Sequence, residues 1–235
     1  MKLLVIDPGH GGKDPGAVSN NLKEKNLNLL LAQLVADKLS AYDLKIILTR
    51  EADTTLGLAE RVKIANRSGA DFFLSLHVNA GAGEGFESFI HTSCSAQSQA
   101  SAYQSCLHRQ IMAGLAKHKI RDRGKKRANF YVLRKTKMPA LLLENLFLDH
   151  PREAKLWQTK GFPPLLANSI VCGLVEALEI SEEGKNASRD HKIQDVFYTV
   201  QIGAFRHRQN AEKKLQKAKR RGFHDAFIQA VERSP

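Results

Sequence analysis

The chain has 235 residues, 43% hydrophobic and 26% charged, enough for one good domain plus a small one. No stretch approaches the ~18 apolar residues of a membrane span, and three scattered cysteines (Cys94, Cys106, Cys172) argue against both a disulfide framework and a cysteine-based zinc site. A net charge of +12 favours polyanionic partners, whether nucleic acid, anionic membrane or anionic cell wall, without choosing among them.

The N-terminal "MKLLVID" has a short apolar run ended by Asp7. A secretory core needs about 7–15 apolar residues, so no signal peptide is expected. The protein is expected to be synthesised in the cytoplasm and kept there until lysis or a pore releases it. Strands are predicted at Leu3–Ile6, Leu44–Leu48, Phe72–His77, Phe86–Ile90, Phe130–Leu133 and Leu141–Glu144. Apolar residues at helix spacing predict an amphipathic helix over Lys25–Leu39. A second helix is predicted from a Thr55 cap through Asn66, with Leu58, Val62 and Ala65 on its buried face. Ser101–Lys117 and Pro164–Leu178 read as two more. Alternating strands and helices imply an α/β fold, a mostly parallel twisted sheet with helices on both faces.

After Ile180 the texture changes. Residues 181–195 read as a polar linker, and 196–235 as a small βαβ unit. In that unit a basic helix spans residues 209–221, with Ala211, Leu215 and Ala218 inward. An RNA-binding version of such a unit would show an RNP signature; Phe197, Tyr198 and Phe205 fall short of one. A nucleotide loop would need GxGxxG or GxxxxGK[ST], and "GHGGKDPGA" is neither.

In open α/β sheets ligands bind beyond the carboxyl ends of the strands. Three strands deliver His10, His77 and Glu144 there, and Asn79 follows His77. Glu24 opens the first long helix, after the loop that begins at His10. Two histidines and a carboxylate can form a three-ligand zinc site with an open fourth position. A second carboxylate nearby could take a water's proton. Each residue also has an ordinary reading: a histidine after a strand is often a loop residue, and a glutamate at a helix start is often a dipole partner. Glu144 is harder to dismiss, because a carboxylate directly after four apolar residues is costly to bury without a partner.

The segments "VIDPGHGGKDPGA", "LKEKNLNL", "LTREAD", "LAERVKIAN", "ADFFLSLHVNA", "GFESFI" and "RDRGKKRANFYVLRKTKMPALLLENLFLDHP" resemble the zinc-dependent N-acetylmuramoyl-L-alanine amidases of the amidase_3 type, in family order over residues 2 to about 180. The resemblance implies one Zn²⁺ held by His10, Glu24 and His77, with Glu144 as the catalytic carboxylate. The substrate it implies is peptidoglycan. Asn79 and Asn129 become candidates for substrate hydrogen bonds, and glycines 9, 11 and 12 for clearance beside a bulky wall strand. One departure is "ENLF", where many members have a Gly before the aromatic; Asn145 is expected to alter packing more than chemistry. The chain also lacks the long insert of members with an autoinhibitory helix, which implies an open site.

The tail "YTVQIGAFRHRQNAEKKLQKAKRRGFHDAFI" resembles a SPOR repeat, a module that binds peptidoglycan glycan strands. A complete module is usually twice as long, so weak affinity and self-association through the half unit are expected. Domains are therefore expected at 1–180 (catalytic), 181–195 (linker) and 196–235 (partial SPOR-like repeat). The resemblance implies a wall-lytic amidase of the sporulation mother-cell-lysis or phage-endolysin type, with glycan strands and stem peptides as partners and no nucleic acid. The competing reading is a non-catalytic basic protein that grips wall or nucleic acid.

Overall fold

The computed structural model describes residues 1–182 and 208–220. The chain divides into two compact units, Met1–Ser188 and Arg189–Pro235. In chain order the elements are β1 (Lys2–Pro8), β2 (Val18–Ser19), β3 (Leu22–Lys23), α1 (Glu24–Leu39), β4 (Leu44–Leu48), α2 (Leu58–Ser68), β5 (Phe72–Asn79) and β6 (Phe86–His91). They continue with α3 (Gln99–Leu115), β7 (Asp122–Ala128), α4 (Tyr131–Lys135), β8 (Ala140–Phe147), α5 (Pro151–Trp157), α6 (Phe162–Leu178) and α7 (Arg208–Arg220).

Six strands form the main sheet in the order β4-β1-β5-β8-β6-β7. The first four run parallel. β6 is antiparallel to β8, and β7 is parallel to β6. The expected mostly parallel α/β sheet is thus present, with a reversed pair at one side. Near-continuous apolar runs such as Leu3–Ile6 and Leu141–Leu143 suit strands buried on both faces.

One face carries the larger core. There α1, α3 and α6 bury Leu31, Leu107 and Leu174 against Leu4, Leu74 and Leu141. The other face is covered by α2 and the short α4, whose Val62, Ala65, Val132 and Leu133 pack on Val5, Phe73 and Leu142. Strand alternation puts Asp7, Ser75, His77 and Glu144 on this second face, towards the carboxyl ends of β1, β5 and β8.

Helix α1 starts at Glu24 rather than Lys25, with the carboxylate in the first turn. Helix α2 starts at Leu58, and Thr55 is not its cap: Gly57 holds that position, and the Glu60 side chain accepts from Gly57 N at 2.9 Å. The Thr55 hydroxyl instead accepts from Lys13 N. Leu58 is 56% exposed, contrary to its expected burial, whereas Val62 and Ala65 are buried.

The expected strand Phe130–Leu133 is helix α4. Four apolar residues are too few for periodicity to separate helix from strand, and packing on the second face decides it. Strand β7, "DRGKKRA", went unpredicted because its residues are mostly charged. Charge of that kind suits an edge strand, where it discourages further pairing. The α5 helix, with Pro151 in its first turn, was also unpredicted. All three cysteines are free.

The predicted basic helix of the second unit is α7, with Ala211 and Leu215 half-buried. The strands predicted around it lie outside the described residues. No single helix among the described residues is long and apolar enough to cross a membrane.

Candidate metal centre

His10, Glu24 and His77 meet although they are far apart in sequence. Their nearest donor atoms all lie within 4.8 Å of one another. Glu24 is the hub: Oε2 lies 3.2 Å from His10 Nε2, and Oε1 lies 2.9 Å from His77 Nδ1. The two imidazoles stand edge to face, 5.0 Å between centroids. The remaining carboxylate lone pairs accept from Ala17 N at 2.9 Å and from Val78 N and Asn28 Nδ2 at 3.2 Å. His10 Nδ1 is held by Asp14 at 2.8 Å, which directs Nε2 at Glu24.

Local sequence explains each placement. His10 sits at φ +60, in the left-handed region. Asn28 Nδ2 also bonds Gly9 O, so helix α1 carries both Glu24 and a clamp on the His10 loop. The neighbouring glycines allow close contacts within the protein. A Cβ on Gly9 would lie 2.2 Å from the His77 ring, and one on Gly12 would lie 2.2 Å from Thr55 Oγ1. A Cβ on Gly11 would lie 2.4 Å from Thr54 O.

Glu144 pairs in register with His77 across β5 and β8. Its carboxylate accepts no hydrogen bond from protein among the described residues. Burial pushes its pKa up to about 7; His77 pulls it back, and Glu24 and Glu87 add repulsion. For Glu24, burial opposes the charged form, yet hydrogen bonds from His10 and His77 hold its pKa well below the usual carboxylate range. The hydrogen bond to Glu24 lifts His10 to about 9, against its own burial. His77 is also raised: burial works against its charge, but Glu24 and Glu144 outweigh it.

The other sequence candidates fall elsewhere. Asn79 pairs with Phe147 beyond a register shift after His77, and its Nδ2 donates to Glu87 at 2.7 Å while its Oδ1 accepts from Ala80 N at 2.8 Å. Asn129 follows β7 at the opposite edge of the sheet, bonded to Arg134 and His91. The structure does not bring it to the cluster. Asn145 is fully buried and donates to His77 O at 2.9 Å, which ties β8 to β5 behind the His77 ring.

Sequence reasoning passed over Glu87, which sits opposite Glu144 in the β6–β8 register and is 4% exposed. The signal was present: "FESFI" puts a carboxylate inside an apolar strand, as "ALLLE" does.

A twisted α/β sheet with two histidines and a glutamate clustered at its carboxyl edge, and an unpaired carboxylate alongside, defines the class: an α/β domain with a His₂Glu set able to hold a metal. The chain belongs to the Amidase_3 family of N-acetylmuramoyl-L-alanine amidases, whose profile matches residues 4–176. A SPOR domain profile matches residues 194–234. The chain is 40% identical over 230 residues to N-acetylmuramoyl-L-alanine amidase CwlM of Bacillus licheniformis, covering 97% of this chain and 85% of that protein. It is 40% identical over 225 residues to the sporulation-specific N-acetylmuramoyl-L-alanine amidase of Bacillus subtilis, covering 95% and 83%. The catalytic domain of CwlV, an amidase from Bacillus (Paenibacillus) polymyxa, superposes with a TM-score of 0.71 at 35% identity, covering 77% of this chain and all of that one. The protein is accordingly a peptidoglycan amidase.

Proposed function

We propose that the protein hydrolyses the amide between N-acetylmuramic acid and L-alanine with one zinc ion held by His10, Glu24 and His77, and with Glu144 as the catalytic carboxylate. The observation that carries this is the cluster itself. A tetrahedral zinc about 2.0–2.2 Å from its donors sets them roughly 3.4 Å apart; Glu24 reaches the two imidazoles through its two oxygens at 3.2 Å and 2.9 Å, and the three donors all lie within 4.8 Å of one another. The His₂Glu donor set is that of open, catalytic zinc sites.

When bound, zinc supplies a Lewis acid that polarises the scissile carbonyl and makes water acidic enough to ionise near neutral pH. Asp14 orients the His10 ring, and Ala17 N and Val78 N orient the Glu24 carboxylate, so the ligand set is preorganised. Glu144 takes the proton of the attacking water and passes it to the leaving L-alanine nitrogen. Its pKa of about 7 suits both roles near neutral pH.

Digestion of purified peptidoglycan tests this reading. New L-alanine amino termini without new reducing sugar ends are expected; reducing ends would point to a glycosidase. The rival, a non-catalytic basic wall- or nucleic-acid-binding protein, predicts neither. An unpaired carboxylate beside the His₂Glu cluster favours the enzyme.

We assign residues 1–180 to catalysis, 181–195 to a linker and 196–235 to weak glycan binding, strengthened when two copies pair. Deleting residues 190–235 should leave turnover of soluble fragments intact. Synthesis in the cytoplasm and action on the wall after release fit mother-cell lysis in a spore-former; release from a phage-infected cell is the other route. A promoter fusion active only in vegetative cells would remove the sporulation version.

A further inference from the structure

The register that pairs Glu87 with Glu144 also brings β7 alongside. Arg123 Nε donates to Glu87 Oε2 at 2.9 Å, and Lys126 forms an ion pair with the same oxygen. Asn79 holds the other oxygen at 2.7 Å. One buried carboxylate therefore meets two cations, and the group keeps a net positive charge beside the reacting edge. Arg123 is fixed further: its guanidinium lies 4.8 Å from the centroid of the Phe147 ring. Lys126 is the more accessible cation, with 39% of its side chain exposed against 26% for Arg123. An ammonium has three donors, and Glu87 takes one.

Distance selects the side of the substrate. Neighbouring strands lie about 4.8 Å apart, so β7 is roughly 10 Å from β8. An extended peptide advances about 3.3 Å per residue, so three residues span that gap. N-acetylated sugars carry no charge for a cation to match, whereas the stem peptide has carboxylates.

We infer that Lys126, held by Glu87 and flanked by Arg123, is a specificity-determining residue that binds the free α-carboxylate of the second residue of the stem peptide. The inference rests on peptidoglycan as substrate and Glu144 as the reacting centre.

The test uses two muramoyl peptides that differ only in whether the second residue carries a free α-carboxylate or its primary amide. The wild-type protein should favour the acid by roughly 10-fold or more in kcat/KM, chiefly through KM, as expected for a charge-assisted hydrogen bond. Lys126→Ala should reduce that preference to under about 2-fold, and Lys126→Arg should restore most of it. A wild-type enzyme with no preference, or a Lys126→Ala variant with the wild-type preference, overturns the inference. If the wild type releases L-alanine amino termini from neither compound, the amidase reading beneath it fails instead.

Discussion

Arg61 Nη2 donates to the carbonyl oxygen of His10 at 2.6 Å, and its Nη1 donates to Asp7 Oδ1 and Pro8 O at 2.7 Å each. Arg50 holds Pro8 O and Gly9 O from beside it, both at 3.0 Å. Two buried arginines thus bind three successive carbonyls, and this keeps His10 in a left-handed conformation that costs roughly 1–2 kcal/mol. Arg61→Ala leaves Asp7, 1% exposed, without its cation, and should destabilise the fold by about 3–5 kcal/mol in urea melts. Arg61→Lys keeps the charge but loses the fork. It should fold and bind zinc about 10–100-fold more weakly in a chelator competition. Wild-type zinc affinity in that variant would show that the loop is held without the fork.

Glu144 stands apart from the donor cluster yet beside it, so its removal should separate chemistry from metal binding. Glu144→Ala should retain zinc stoichiometrically and lose turnover by several orders of magnitude, beyond the roughly 10²–10⁴-fold of a simple proton-transfer role. Zinc content by atomic absorption and release of amino termini, measured on one preparation, check both halves. Near-wild-type turnover would take Glu144 out of the mechanism.

Much of this arrangement was legible in the sequence. Buried parallel strands announce themselves as apolar runs, and polar residues at or just beyond their carboxyl ends mark the sheet edge; Glu144 ends its run directly, His77 closes "DFFLSLH", and His10 follows the turn after Asp7. Glu24 was readable only as a helix start, because its reach across the edge depends on the α1 packing angle. Strand β7 and helix α4 were not legible. The first is charged because it is an edge, and the second is too short to show a period. Without β7, the positive neighbours of Glu87 could not be placed. The protein contacts at the glycines were not legible either, since sequence shows that a backbone is approached but not by what.

Gly9 lies against the His77 ring. Its added Cβ would lie 2.2 Å from the His77 ring, so Gly9→Ala must displace a ligand or the β1 loop. Zinc affinity should fall by 10-fold or more while far-ultraviolet circular dichroism is unchanged, because the residue lies after the strand and not within the core. If the glycine instead cleared space for substrate, KM would rise with zinc affinity intact.

Zinc binding should be proton-coupled, with a defined sign. In the metal-free protein Glu24 is held charged and His10 is raised from 6.5 to about 9. A raised histidine contributes stability that is fully present below pH 6.5 and lost as pH rises through about 9. A lowered glutamate contributes stability above its ordinary 4.5 that is lost as pH falls. The metal-free form therefore gains most from this pair between about pH 4.5 and 6.5. A metal has to displace the His10 proton, so apparent zinc affinity should climb from pH 6.5 to 9, with proton uptake by buffer seen in calorimetry. The difference in Tm between zinc-loaded and metal-free protein should widen over the same range. A pH-independent affinity would contradict the His10–Glu24 pairing.

Leu146 tests how the fold tolerates a leucine held in a left-handed conformation. It follows Asn145 in β8, lies at φ +69 where the register with β5 shifts, and is fully buried. Two effects of Leu146→Gly oppose each other. Glycine relieves left-handed strain of about 1–2 kcal/mol. Emptying a buried leucine site costs about 2–5 kcal/mol even when alanine is left behind, and glycine removes one more carbon. Burial wins: the substitution should destabilise by roughly 2–3 kcal/mol in urea melts. A more stable variant would mean that strain at this bulge outweighs the leucine's packing.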